Sequence, residues 1–140
     1  MAEARSVLWG SVDVWRIEFQ PKEARLTIQL ARQVAPPEMR DLAEAHAEAL
    51  EATGGAPFSV LVDLRGLYPL DGQSAQLLDD MRRVACSLAG YRARAVLVDS
   101  ATIAMQQRNA TIEDGGDPLE VITWEGDEAM AHLRRGVAAG

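Results

Sequence analysis

The sequence predicts an α/β fold: a single-layer mixed, mostly parallel β-sheet with flanking helices, in the order β-β-α-β-α-β-α-β-α. Three observations carry this reading. Two runs of alternating apolar residues open the chain, as strands with one buried face do. Short, nearly continuous apolar runs then alternate with stretches of helical period. Strands that alternate with helices imply a largely parallel sheet, here with an antiparallel hairpin at its start. A chain of 140 residues fits one core. No linker, repeat or low-complexity block divides it, so residues 1–140 read as a single domain.

The first segment spans residues 12–30. Trp15, Ile17 and Phe19 alternate with Arg16 and Glu18, and Leu26, Ile28 and Leu30 alternate with Thr27 and Gln29. Pro21-Lys22-Glu23 between them reads as a hairpin turn. Pro36-Pro37 then opens a helical stretch to about Ala52, which Gly54-Gly55 stops. Met39, Leu42, Ala43, His46 and Leu50 share one side, and Glu44, Glu48 and Glu51 face outward. His46 borders the stripe, where a backbone group is expected to satisfy its ring.

Residues 57–64 are almost wholly apolar, the pattern of a strand buried on both faces. A tight connection, residues 65–70, leads into the clearest helix. Its apolar stripe is Ser74, Leu77, Leu78, Met81, Val84, Ala85 and Leu88, and Gly90 ends it. Residues 94–98 form the next buried strand. Asp99 or Ser100 caps a helix from Ala101 to about Ile112, which Gly115-Gly116 closes. Residues 119–123 read as a last strand. Asp127 caps a short helix over residues 128–135, before a Gly- and Ala-rich tail.

A net charge of −7 opposes the phosphate backbone and anionic membranes, so neither nucleic acid nor a membrane surface is an expected partner. Arg82–Arg83 and Arg134–Arg135 are isolated pairs that read as solvated helix surface. Cys86 is the only cysteine, so no intramolecular disulfide forms, and its place on an apolar face reads as a small buried thiol. The amino-terminal residues lack a signal-peptide core and no run approaches a membrane span, which points to the cytoplasm.

At the strand-to-helix junction, Val62-Asp63-Leu64-Arg65-Gly66-Leu67-Tyr68-Pro69-Leu70-Asp71 resembles the corresponding stretch of the STAS domains, the SpoIIAA-like family of anti-sigma factor antagonists. There Asp-Leu-x-Gly is followed by a hydrophobic residue and Asp. Val96-Leu97-Val98-Asp99-Ser100-Ala101 is similar to the next strand and helix start, and residues 125–133 to the final acidic, alanine-containing helix. The resemblance is greatest to the stand-alone bacterial STAS/SEC14-like branch and covers most of the chain. It implies the fold and a role in binding. In regulatory members a serine follows the aspartate at the helix start, and a partner kinase phosphorylates it. The matching position here is Gly72, which has no hydroxyl, while Ser74 lies two residues on and faces the apolar stripe.

The candidate binding residues are Arg65, Tyr68, Asp71, Gly72, Ser74, Asp99 and Ser100. Asp71 and Asp99 stand where strands end and helices begin, which suits N-capping. Ligands of open α/β sheets also gather at the carboxyl ends of strands, where Gly72, Ser74 and Ser100 would complete a small polar pocket. Arg65 and Tyr68 would form an aromatic and charged recognition patch in the preceding loop. No catalytic set emerges. His46 and His132 lack Glu or Cys at metal-ligand spacing, and no nucleophile elbow, phosphate loop or dinucleotide fingerprint is present. No cofactor is expected. Trp9, Trp15 and Trp124 are expected to pack in the core.

These readings favour a non-enzymatic regulatory or interaction domain that binds a protein partner or a second copy of itself. Two alternatives stand beside it: a small carrier or sensor of an apolar molecule, implied by the SEC14-like side of the resemblance, and an enzyme with an unrecognised site.

Overall fold

The structure is a computed structural model that describes residues 7–10 and 14–139. Its elements, in chain order, are β1 (Val7–Gly10), β2 (Trp15–Gln20), β3 (Arg25–Leu30), α1 (Pro36–Ala52), β4 (Phe58–Asp63), α2 (Gly72–Ser87), β5 (Tyr91–Leu97), α3 (Ala101–Glu113), β6 (Glu120–Thr123) and α4 (Gly126–Ala139). The six strands form one sheet in the order β1-β2-β3-β4-β5-β6. β1, β2 and β3 pair antiparallel, and β3 to β6 pair parallel.

The opening hairpin turns through a 3-10 turn at Pro21–Glu23, with Ala24 in the left-handed region. Its alternation sends Trp15, Ile17, Phe19, Leu26, Ile28 and Leu30 to one face, all buried. There they join Phe58, Val60 and Val62 of β4 and Val96 of β5 under the apolar sides of α1 and α2. Fully burying a side chain of this kind stabilises by about 1.5–3 kcal/mol. The opposite face carries a smaller core, in which Ala129 and Leu133 of α4 pack on Ala93 and Ala95 of β5. The two faces explain why β4 and β5 read as continuous apolar runs while β2 and β3 alternate.

Several expectations need correction. β1 adds a sixth strand, because four residues at the sheet edge leave too short a pattern to recognise. The carboxyl-terminal helix runs to Ala139, through the tail, and Asp127 lies inside it instead of capping it. A methyl group at Gly136 would meet the Ala93 Cβ at 2.4 Å, so the glycine lets α4 lie close on β5. Arg82, expected at the solvated surface, is buried and pairs with Asp79 and Asp114, whereas Val84 and Leu88 of the expected stripe are exposed. Trp15 is in the core, Trp124 is 52% exposed, and the Trp9 side chain lies outside the described residues.

The helix stops at Gly54–Gly55 and Gly115–Gly116 hold, all four with positive φ. Gly90 is needed for space: a Cβ there would lie 2.4 Å from the Ala56 carbonyl oxygen. Among the described residues, no helix is long and apolar enough to cross a membrane.

Candidate functional site

The parallel strands β3, β4 and β5 end together, and the loop from β4 to α2 crosses their carboxyl ends. Leu64 anchors it, fully buried, with its N–H donating to the Leu97 carbonyl at 2.8 Å. The buried Asp63 carboxylate then folds the next residue back. It accepts from Arg65 N–H at 3.1 Å, from Nε at 3.0 Å and from Nη2 at 2.8 Å. Burial pushes the Asp63 carboxyl up, but the Arg65 hydrogen bonds and charge outweigh it and hold the group below the usual carboxylate range.

Gly66 follows with φ +80°, a conformation that strains any side chain. Its N–H donates to both oxygens of Asp99, at 3.0 and 3.1 Å. From the other side Arg32, itself left-handed at φ 64°, donates its N–H to the Gly66 carbonyl at 2.8 Å and accepts from Tyr68 N–H at 2.9 Å. The loop is thus clipped between the ends of β3 and β5. Leu67 points into the core, and Tyr68 is left 57% exposed at the crest.

α2 begins as its sequence predicts. Asp71 is its N-cap and accepts from Ser74 N–H at 2.8 Å and Ser74 Oγ at 3.1 Å. The Ser74 N–H bond leads the causes that hold the Asp71 carboxyl below its ordinary value. Ser74 is buried, so its hydroxyl is engaged by the cap and closed to solvent. Gly72 is exposed with open space around it.

For α3 the structure selects Ser100 as N-cap, with Ile103 N–H 3.4 Å from its Oγ. Asp99 is not a cap. The Gly66 N–H competes for its carboxylate, a long-range contact that no local pattern announces. The structure therefore places Arg65 and Tyr68 on one loop that Asp99 holds through Gly66, while the residues at the α2 start diverge. Ser74 lines a groove of about 350 Å³ between α1 and α2, with Pro36, Met39 and Leu77. Gly72 lines a second groove, of about 310 Å³, between α2 and α3. Asp99 and Ser100 line neither of these grooves.

Sequence reasoning missed Arg32 and Asp63. Arg32 sits in an unremarkable Ala-Arg-Gln run with no glycine to signal a left-handed residue. The signal for Asp63 was present: a carboxylate at the end of an apolar strand, two residues before an arginine. Among the described residues no group of three or more His, Cys, Asp or Glu side chains is placed to hold a metal ion.

No family model matches the sequence, and neither does any curated protein. Among solved structures, the chain is similar to an uncharacterised protein of the DUF3478 family with a SpoIIAA-like fold, from Shewanella loihica PV-4. The TM-score is 0.60 at 14% identity, over 95% of this chain and 98% of that one. The fold is therefore SpoIIAA-like, as the junction motifs implied.

Proposed function

We propose that this protein is a non-enzymatic STAS-like interaction domain that binds a protein partner through the strand-end face. Tyr68 is the anchor, with Arg65 beside it in the clipped loop. The observation that carries this reading is a large aromatic side chain held out in solvent by a backbone fixed on both sides. A rigid loop binds without the cost of ordering itself, and tyrosine supplies contact area at low entropic cost. The binding does not depend on phosphorylation at the helix start, since Gly72 has no hydroxyl and that of Ser74 is engaged by Asp71.

The test replaces Tyr68 with a photo-crosslinking aromatic residue and identifies the protein joined to it in cells. Tyr68→Ala is then expected to weaken binding of that purified protein about tenfold or more, about 1.4 kcal/mol, with the fold unchanged. Unaltered affinity in a folded Tyr68→Ala protein removes the loop from the interface.

A second reading rests on the α1–α2 groove, whose floor of Pro36, Met39 and Leu77 suits the apolar part of a small molecule. Native mass spectrometry beside a denatured control tests it. An extra mass lost on denaturation supports a carried ligand, and bare protein counts against one.

A further inference from the structure

We infer that the groove between α2 and α3 seats an extended segment of a partner chain, held through its main chain along the groove and by a lysine or arginine at the Glu113 end. The inference rests on the partner-binding reading and names the part of the partner that runs on from Tyr68.

Shape is the first argument. α2 packs on α1 and leaves a trough of about 310 Å³ on the side toward α3. Both helices return between parallel strands and so run side by side in the same direction. The trough follows α2 from Gly72 to Arg82, a distance of about 15 Å at about 1.5 Å per residue. About four or five residues of extended chain cover that length. Leu78 forms the floor, and Ala75 and Ala110 keep the walls low. Leu70, two residues past Tyr68, opens the trough, so a chain docked at the clipped loop continues into it.

The second argument is the chemistry of the walls. They carry amides, Gln76 from α2 and Gln106, Gln107 and Asn109 from α3. A side-chain amide has the donors and the acceptor of a peptide group, and most side-chain hydrogen bonds go to main chain or water. Gln76 donates to Asp80 at 2.9 Å, which leaves its carbonyl to accept. The side chains of Gln106, Gln107 and Asn109 bond no described residue, and α3 gives the core only Ile103, Ala104 and Thr111. Among the described residues no aromatic side chain lines the trough. A nucleobase would lack a stacking face there, whereas an extended main chain asks only for donors and acceptors.

Charge selects the end of the segment. Asp79 and Arg82 close on each other at 2.8 Å. Glu113 is exposed and has no ion-pair partner among the described residues. It is the last residue of α3, where the helix dipole adds negative charge. On a chain of net charge −7, that unpaired carboxylate calls for a cation of the partner.

Random peptides of about twelve residues, longer than the trough, displayed on phage and selected on the full chain, provide the probe. The strongest binder, made synthetically, is expected to carry a lysine or arginine near one end. Gln107→Ala combined with Asn109→Ala should weaken its binding about tenfold or more, and Glu113→Lys by a similar factor. Both proteins should melt at the wild-type temperature, since these side chains stand outside the core. Arg108→Ala, beside them in sequence but outside the trough, should bind as wild type does. Methylation of the peptide's central main-chain nitrogens should also weaken binding. No selected peptide, or binding unchanged in the groove variants or after methylation, overturns the proposal. Tyr68→Ala separates the inference from the reading it rests on. Loss in Tyr68→Ala with full binding by the groove variants keeps the loop and removes the groove. Loss in the groove variants with full binding by Tyr68→Ala keeps the groove and removes the loop. Loss in both supports one continuous docked segment.

Discussion

His46 was expected to rest at the border of α1 with a backbone partner. It is instead 3% exposed, and its Nε2 has no hydrogen-bond partner. Burial, and then the positive charge of Arg94, lower its pKa from 6.5 to about 4. The fold therefore holds a neutral ring, and the unfolded chain takes up the proton first. Stability from this residue is complete above pH 6.5 and is lost as the pH falls toward 4, by about 3 kcal/mol. Urea unfolding of wild type and His46→Met between pH 7 and pH 4 should show this difference in slope. Parallel curves would contradict the burial argument. Cys86 is a milder case: it is half-buried, and burial pushes its thiol up, as suits an unreactive sulfur.

Between β5 and β6 the buried contact is charged. Arg94 Nε lies 3.2 Å from Glu120 Oε2 without the alignment of a hydrogen bond, and Arg94 Nη1 has no partner. Thr111 of α3 donates to the other Glu120 oxygen at 2.7 Å. Such a pair adds little net stability, but losing one member strands a charge in the core. Glu120→Leu is thus expected to cost about 3–5 kcal/mol, and Arg94→Met with Glu120→Leu clearly less. Thermal melts of the single and double variants check this. A double variant as unstable as the single would show that both side chains serve packing alone. On the other flank of α3, Asp114 receives Arg82 and Arg83 and ties the carboxyl-terminal end of α3 to α2.

At the scale of the whole molecule, three helices cover one face of the sheet and α4 covers part of the other. The clipped loop lies across the carboxyl ends of β3 to β5, away from both cores, so Tyr68→Ala is expected to melt at the wild-type temperature, which a thermal scan checks. A clear drop in that temperature would mean that Tyr68 supports the fold and not only a contact.

Local order was legible without coordinates wherever neighbours in sequence are neighbours in space. The 2.0 residue period placed β2 and β3, continuous apolar runs placed β4 and β5, and the 3.6 residue period placed α1 and α2, while the Asp71 cap and the glycine stops follow from contacts within a few residues. The tertiary structure alone decided that Asp99 serves Gly66 and not its own helix, that Arg32 clips the loop, and that Glu120 turns inward to Arg94. It also decided that His46 is buried beside a cation and that Trp124 stands in solvent. Each of these depends on groups from separate elements meeting across the sheet. Periodicity records which face of an element is apolar, but not which polar group from elsewhere meets that face, nor which sheet edge stays uncovered.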